Sequence, residues 1–312
     1  ESGVEGGAAA DAAGAGEGND LAAGAEVPRA GVALDPGEPV TRIALGSCNR
    51  TTRPQPLWDP IVAADPDLWI WLGDNVYGDT NDMSVMREKY DAQVAMPGYT
   101  ELRRTAAVIG TWDDHDFGEN NAGNEYPMRA ESQQEALDFL GVPEDDPRRA
   151  REGLYSSHTW GSEGSRVKVI LLDSRYHRDE RGSDGAVLGE EQWAWLEGEL
   201  TDSDAQVHLI GNGIQILHEE HRYEKWANFP SERERLLGLI ASTGAPGVVL
   251  LSGDRHLSEL AKLEDASLPY PLWELTSSGM THSFTGGAGE PNRYRVGDLF
   301  TDRGFGLIEL DW

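Results

Sequence analysis

Cysteine occurs once in these 312 residues, at Cys48, so no intrachain disulfide can staple the fold. Basic residues are scarce: 26 Lys and Arg stand against 55 Asp and Glu, a net charge of −29. That imbalance disfavours a long nucleic acid as a stable partner, because phosphate contacts need clustered cations. It also repels a small anionic substrate unless local cations, such as bound metals, override the field. No apolar run approaches the ~20 residues that span a bilayer. A Gly-x-Ser-x-Gly elbow, a Gly-x-x-x-x-Gly-Lys loop and a Cys-x-x-Cys pair are all missing. Their absence removes the serine-hydrolase, P-loop and zinc-ribbon readings. The length suffices to bury a full core in one large domain or two small ones.

Large apolar residues are also nearly missing from the first 38 positions, which are Gly, Ala and acid. Residues 1–40 hold eight acids and one base and read as a flexible, disordered lead. The folded domain is expected over 41–312. The chain begins at Glu1 and not at Met, so an upstream signal peptide or tag is expected to have been removed. On that reading the lead resembles the tether of an exported or lipid-anchored bacterial protein, in the periplasm, outside the cell or on its surface. A plain flexible terminus has the same composition.

What is present is a repeated design. Six apolar, β-rich runs each stop at a residue that can bind a metal. Ile43–Leu45 runs into Gly46-Ser47-Cys48, and Leu68–Leu72 into Gly73-Asp74-Asn75-Val76-Tyr77. Ala107–Ile109 precedes Trp112-Asp113-Asp114-His115-Asp116, and Val169–Leu172 ends at Asp173. Val207–Ile210 ends at Gly211-Asn212, and Val248–Leu251 runs into Ser252-Gly253-Asp254-Arg255-His256. Layered α/β sheets carry their ligands just beyond the carboxyl ends of their strands, so one polar, metal-loaded rim is expected. Apolar spacings of three and four predict helices over Asp82–Val94, Ser132–Leu140, Gly189–Leu200 and Ser231–Ser242. Ser231 with Glu234 fits a capping box for the last. Leu272–Thr276 and Phe305–Leu310 read as late strands, the latter suited to an antiparallel hairpin. The fold class is α/β, a sandwich-like domain and not a barrel.

A glycine before a strand-end Asp lets the backbone bring the carboxylate close to a cation, and one carboxylate can bridge two cations that would otherwise repel. Taken alone, Gly73-Asp74 is also an ordinary turn and Tyr77 an ordinary packed aromatic. Asp113, Asp114 and Asp116 would raise one another's pKa without a cation. A metal ligand with His115 as neighbouring general acid is a natural use of that loop; a solvated acidic loop is the plainer one. Asp254 and His256, two apart, can face one side of an extended segment. Arg255 then points elsewhere or grips a phosphate. Cys48 would be an inert buried thiol were it not at a strand end like the other candidates. Arg50 and Arg53 are anion-binding candidates. Arg175 suits either a strand-end salt bridge or a phosphate. His218-Glu-Glu-His221 does not have the spacing of His-Glu-x-x-His. Asn49-Arg50-Thr51 is a glycosylation sequon by coincidence.

Taken in order, these motifs resemble the PhoD-like family of alkaline phosphatases and phosphodiesterases, within the wider calcineurin-like metallophosphatase fold. The resemblance covers about residues 41–312. It implies a β-sandwich core flanked by helices, in four layers α/β/β/α, and an exported protein. It further implies an iron(III) ion held by a thiolate and a tyrosinate, with calcium alongside. By that analogy Cys48, Asp74, Tyr77 and His256 hold the iron, Asp74 bridges, Asp114 holds the second metal and Asp254 is a further ligand. His115 matches the family's catalytic histidine, with Arg175 and Asn212 grouped beside it, and Arg50 and Arg255 contact the substrate. Two features depart from the family: many members carry a β-sandwich domain before the catalytic one, and the usual Gly-Asn-Gln reads Gly211-Asn212-Gly213 here.

The expected reaction is hydrolysis of phosphodiesters or phosphomonoesters by a metal-bound hydroxide at a dinuclear or larger site. Metal binding can lower the pKa of water from about 15.7 to about 7. His115 would protonate the leaving oxygen, and arginines would neutralise the equatorial oxygens. A phospholipase or phosphotriester hydrolase on the same fold, or a non-catalytic calcium-binding protein, are the competing expectations.

Overall fold

The computed structural model describes residues 26–287 and 289–312. Most of the acidic lead, residues 1–25, lies outside them. Residues 26–40 belong with the domain. Val32 N–H donates to Ala106 O at 3.2 Å and Val108 N–H to Ala30 O at 2.7 Å. Val32 and Val40 are buried. Composition missed this because backbone pairing along a sheet edge needs few apolar side chains.

The alternation of Leu68-Trp-Ile-Trp-Leu72 explains the layering. Leu68, Ile70 and Leu72 face a core shared with Val169, Leu171, Leu209 and Leu251. Trp69 and Trp71 face the other way, into a core with Trp58, Tyr99 and Phe139. A strand buried on both faces reads as one continuous apolar run. Three such strands, β1 (Arg42–Gly46), β2 (Leu68–Leu72) and β3 (Ala107–Thr111), lie parallel in that order. The second sheet has β4 (Ser156–Trp160), β5 (Val167–Leu171), β6 (Val207–Gly211), β7 (Val248–Ser252), β8 (Ser258–Leu263), β9 (Leu272–Ser277) and β10 (Arg295–Phe300). Their order is β10-β8-β9-β7-β6-β5-β4, with β5, β6, β7 and β9 parallel. β11 (Gly306–Glu309) pairs antiparallel with β1. The expected late hairpin is therefore a return across the sandwich to the first sheet.

Helices α1 (Trp58–Ala63), α2 (Met83–Val94), α3 (Pro97–Thr105) and α5 (Arg129–Phe139) cover the first sheet, and the short α4 (Asp114–Phe117) opens the loop after β3. α6 (Glu190–Leu200) and α7 (Pro230–Thr243) cover the second. The result is the four-layer α/β/β/α arrangement. Four of the helices match the spacing-based expectation within three residues. Asp82 caps α2 by accepting from Ser84 N–H. The capping box expected at Ser231 does not form. α7 starts at Pro230, whose missing N–H needs no cap, and Ser231 bonds Asp184 instead.

The carboxyl ends of β1, β2, β3, β5, β6 and β7 meet on one rim, but that rim belongs to two sheets. It is sutured there: Thr111 Oγ1 donates to Leu172 O at 2.8 Å and Gly279 N–H to Ser47 O at 3.2 Å.

Candidate metal centre

Four candidate ligands sit where L-residues rarely sit. Cys48, Asp74, Asp254 and His256 have φ of 59, 51, 61 and 54°. Such backbone costs on the order of 1–3 kcal/mol per residue and gathers at functional sites. The turn before Asp74 needs glycine. Gly73 has φ 88°, and a Cβ there would lie 2.4 Å from Asp113 Cβ. Gly253 likewise leaves no room, with Leu72 O at 2.5 Å from a built Cβ. These close approaches pull the loops after β2, β3 and β7 onto one another.

Asp74 is the common member of three groups whose donor atoms lie within 4.8 Å of one another: Cys48–Asp74–His256, Asp74–Asp114–His115 and Asp74–Asp113–Asp254. Cys48 Sγ lies 3.3 Å from Asp74 Oδ2. Tyr77 Oη is 3.1 Å from His256 Nε2 and 3.2 Å from His282 Nε2. Asp116 holds the loops in register by accepting from the N–H groups of Asp113, Asp74 and Asn75 at 2.8, 3.0 and 3.1 Å. Asp114 accepts from Asn121 N–H at 2.6 Å.

The electrostatics favour a cation. Burial, then repulsion by Asp74 and Asp254, pushes the Cys48 thiol well up. Burial, then Asp114 and Asp113, does the same to Asp74. Burial lifts Asp116 and Asp254 to about 7 and drives His256 down to about 4. Burial also works against Asp114, yet Arg175 and His115 bring it below its ordinary value. For His115, burial opposes the charge and Asp79 outweighs it, 2.5 Å from Nδ1, so its pKa rises. A buried set of acids with so little counter-charge is a site built for positive ions. The donors fit two kinds. Thiol, phenol, imidazole and carboxylate around Cys48 suit a transition metal, and the all-carboxylate group of Asp74, Asp113 and Asp254 suits a hard cation.

Of the expected site residues, Cys48, Asp74, Tyr77, Asp114, His115, Asp254 and His256 come together. Arg50 stacks over the Tyr77 ring, its Cζ 3.9 Å from the centroid. Arg255 lines the adjoining cavity but is held by Glu290 at 2.6 Å. Arg53 is exposed.

Arg175 and Asn212 do not join the open site. Arg175 is fully buried and its guanidinium is consumed by Asp113 at 2.6 Å and Glu224 at 2.5 Å. The strand-end salt bridge is the correct reading. Asn212 Oδ1 accepts from Trp226 Nε1 at 2.9 Å and Ile214 N–H at 3.2 Å, and its Nδ2 donates to Leu251 O at 3.3 Å. It braces the rim. The Asn49 side chain is buried and donates to Gln93 at 2.7 Å, so the sequon is indeed coincidental.

Sequence reasoning assigned no role to Asp113 or to His282. His282 lies beyond β9, and extending the strand-end rule to a seventh strand would have found it. The cavity over the site has a volume of about 260 Å³, and its walls include Asn120, Asn121, Arg181, Tyr223 and Phe284.

Comparison with known proteins identifies a family and a shared fold. A family model described as PhoD-like phosphatase matches residues 43–297. Alkaline phosphatase D of Bacillus subtilis (strain 168) is 28% identical over 189 residues, half of this chain and 32% of that protein. A solved structure of PhoD superposes with a TM-score of 0.69 at 20% identity, over 88% of this chain and 65% of the other. A dimetal phosphatase from Danio rerio superposes at 0.53 with 15% identity, over 79% and 90%. The chain thus spans about a third of the curated relative's length and just under two thirds of the solved PhoD chain. At these identities the two structures establish the shared fold.

Proposed function

Because this chain belongs to the PhoD-like phosphatase family, we propose that it hydrolyses phosphate esters at a metal centre bridged by Asp74. The observation that carries the reading is the position of Asp74, shared by all three donor groups. Cys48, Tyr77, His256 and Asp74 would hold an iron(III) ion. Asp74, Asp114 and Asp254, joined by Asp113, would hold calcium. Ions bound there supply Lewis acidity toward a phosphoryl oxygen and lower the pKa of water.

The chain's own residues do the rest. Asp79 fixes Nδ1 of His115, which leaves Nε2 to hold a proton for the leaving oxygen. The raised pKa of His115 keeps that proton available further into the alkaline range. Arg50, seated on Tyr77, faces the same ring system and is placed to pair with phosphate oxygens. Arg175 neutralises Asp113 and so limits the negative charge that a phosphate meets. The cavity of about 260 Å³ admits a small ester.

The test is hydrolysis of bis(p-nitrophenyl) phosphate and p-nitrophenyl phosphate at mildly alkaline pH, before and after chelation, with calcium added back. Activity lost on chelation and restored by calcium supports the reading, as does a visible phenolate-to-iron(III) absorption band that Tyr77→Phe removes. Metal-replete protein that turns over neither ester overturns it.

A further inference from the structure

The cavity wall carries chemistry that the metal residues do not use. Tyr223, in the loop after β6, and Phe284, in the loop after β9, both line it. Their rings meet edge to face at 5.6 Å and 79°. Neither belongs to the three apolar cores, so packing does not account for them. Both are half-buried and both are fixed. Phe284 N–H donates to the carbonyl of His256 at 2.7 Å, which ties its position to a candidate ligand. Tyr223 N–H donates to His221 Nδ1 at 3.1 Å. The Arg255 guanidinium lies 4.5 Å from the Tyr223 ring centre. Glu290 neutralises that guanidinium, so it adds a flat polar surface more than a free charge.

The leaving oxygen belongs beside His115, whose ring already lies tilted against that of Tyr77 at 4.1 Å. The aromatic corner stands on other loops. We propose that Tyr223 and Phe284 form a subsite for a planar aromatic group, nucleobase or aryl, on the non-leaving alcohol of a phosphodiester. This inference rests on the phosphoesterase reading above. Stacking on aromatic side chains tolerates any base, because every base has a π-face, so the corner selects for a ring and not for its identity. Charge favours the same substrate class. A diester brings one negative charge where a monoester brings up to two, and Glu224 and Asp254 line the same cavity.

The experiment compares two diesters with one leaving group: the p-nitrophenyl ester of thymidylate and methyl p-nitrophenyl phosphate. In the wild type, kcat/KM for the thymidylate ester exceeds that for the methyl ester by about tenfold or more, mostly through KM. Tyr223→Leu and Phe284→Leu each shrink that ratio, and Tyr223→Phe, which keeps the ring, preserves it. A wild-type ratio near one, or leucine variants that slow both esters equally, overturns the subsite while leaving the phosphoesterase reading intact. Absence of turnover of both diesters by metal-replete wild type overturns the subsite, and it overturns the phosphoesterase reading as well only if p-nitrophenyl phosphate is not hydrolysed either.

Discussion

Cys48 Sγ lies 3.3 Å from Asp74 Oδ2 in a setting where both residues are buried. A thiol and a carboxylate at that distance cannot both ionise without a cation between or beside them. The pair joins the ends of β1 and β2, and Asp254 carbonyl closes on the same sulfur at 3.4 Å from β7. Two sheets thus converge on one protonatable pair, and ion binding there would be coupled to proton release.

Asp74→Asn removes the shared member of all three groups. Turnover should fall on the order of a thousandfold, and bound metal measured by elemental analysis should fall with it. Cys48→Ser should lower the transition-metal content while calcium uptake by the carboxylates persists. A fully active, metal-replete Asp74→Asn variant would refute the bridging role.

Asp79→Asn tests the proton on His115. Burial opposes that charge and the Asp79 contact raises the pKa. Removing the carboxylate therefore lowers the pKa, and the alkaline limb of the kcat–pH profile moves toward acid. An unmoved limb would show that His115 does not set it.

Trp71→Ala probes the layer behind the site. Trp71 is fully buried, donates to Tyr99 Oη at 3.1 Å and packs edge-on to Trp58 and Trp69 at 5.6 and 5.2 Å. Its loss should cost about 3–5 kcal/mol in urea unfolding, with metal content of the folded protein retained. A loss well under that range would show that the tryptophan cluster collapses around the gap.

Much of this was legible because strands buried on both faces announce themselves. β1, β2, β3, β5, β6 and β7 are near-continuous apolar runs, and four of their ends carry candidate ligands. Strands β4, β8 and β10 of the second sheet were not legible. Ser-Glu-Leu-Ala-Lys-Leu of β8 mixes charge with apolar residues because only part of it faces a core. α1 is only six residues long, and α3 opens with Pro97-Gly98, which reads as a breaker but occupies the N-terminal turn that tolerates it. Arg175 and Asn212 show the limit at the site. A polar residue at a strand end has the same sequence signature whether it meets a substrate or a buried partner. Only Asp113 and Glu224 around Arg175, and Trp226 beside Asn212, decide it.

Chelation should make stability depend on pH in a stated direction. Burial raises Asp116 and Asp254 from 3.8 to about 7 in the metal-free fold. Between those values the folded state binds more protons than the unfolded chain, so unfolding free energy falls as pH rises. The contribution of these two protonated acids is fully present below about pH 4 and is lost as pH passes about 7. Ions held by Asp74 and Asp254 would compensate this buried charge, so metal-loaded protein should lose far less over that window. Urea midpoints of chelated and loaded protein at about pH 5 and about pH 8 separate the two cases. Parallel midpoints would mean that Asp254 is not among the acids the ions hold.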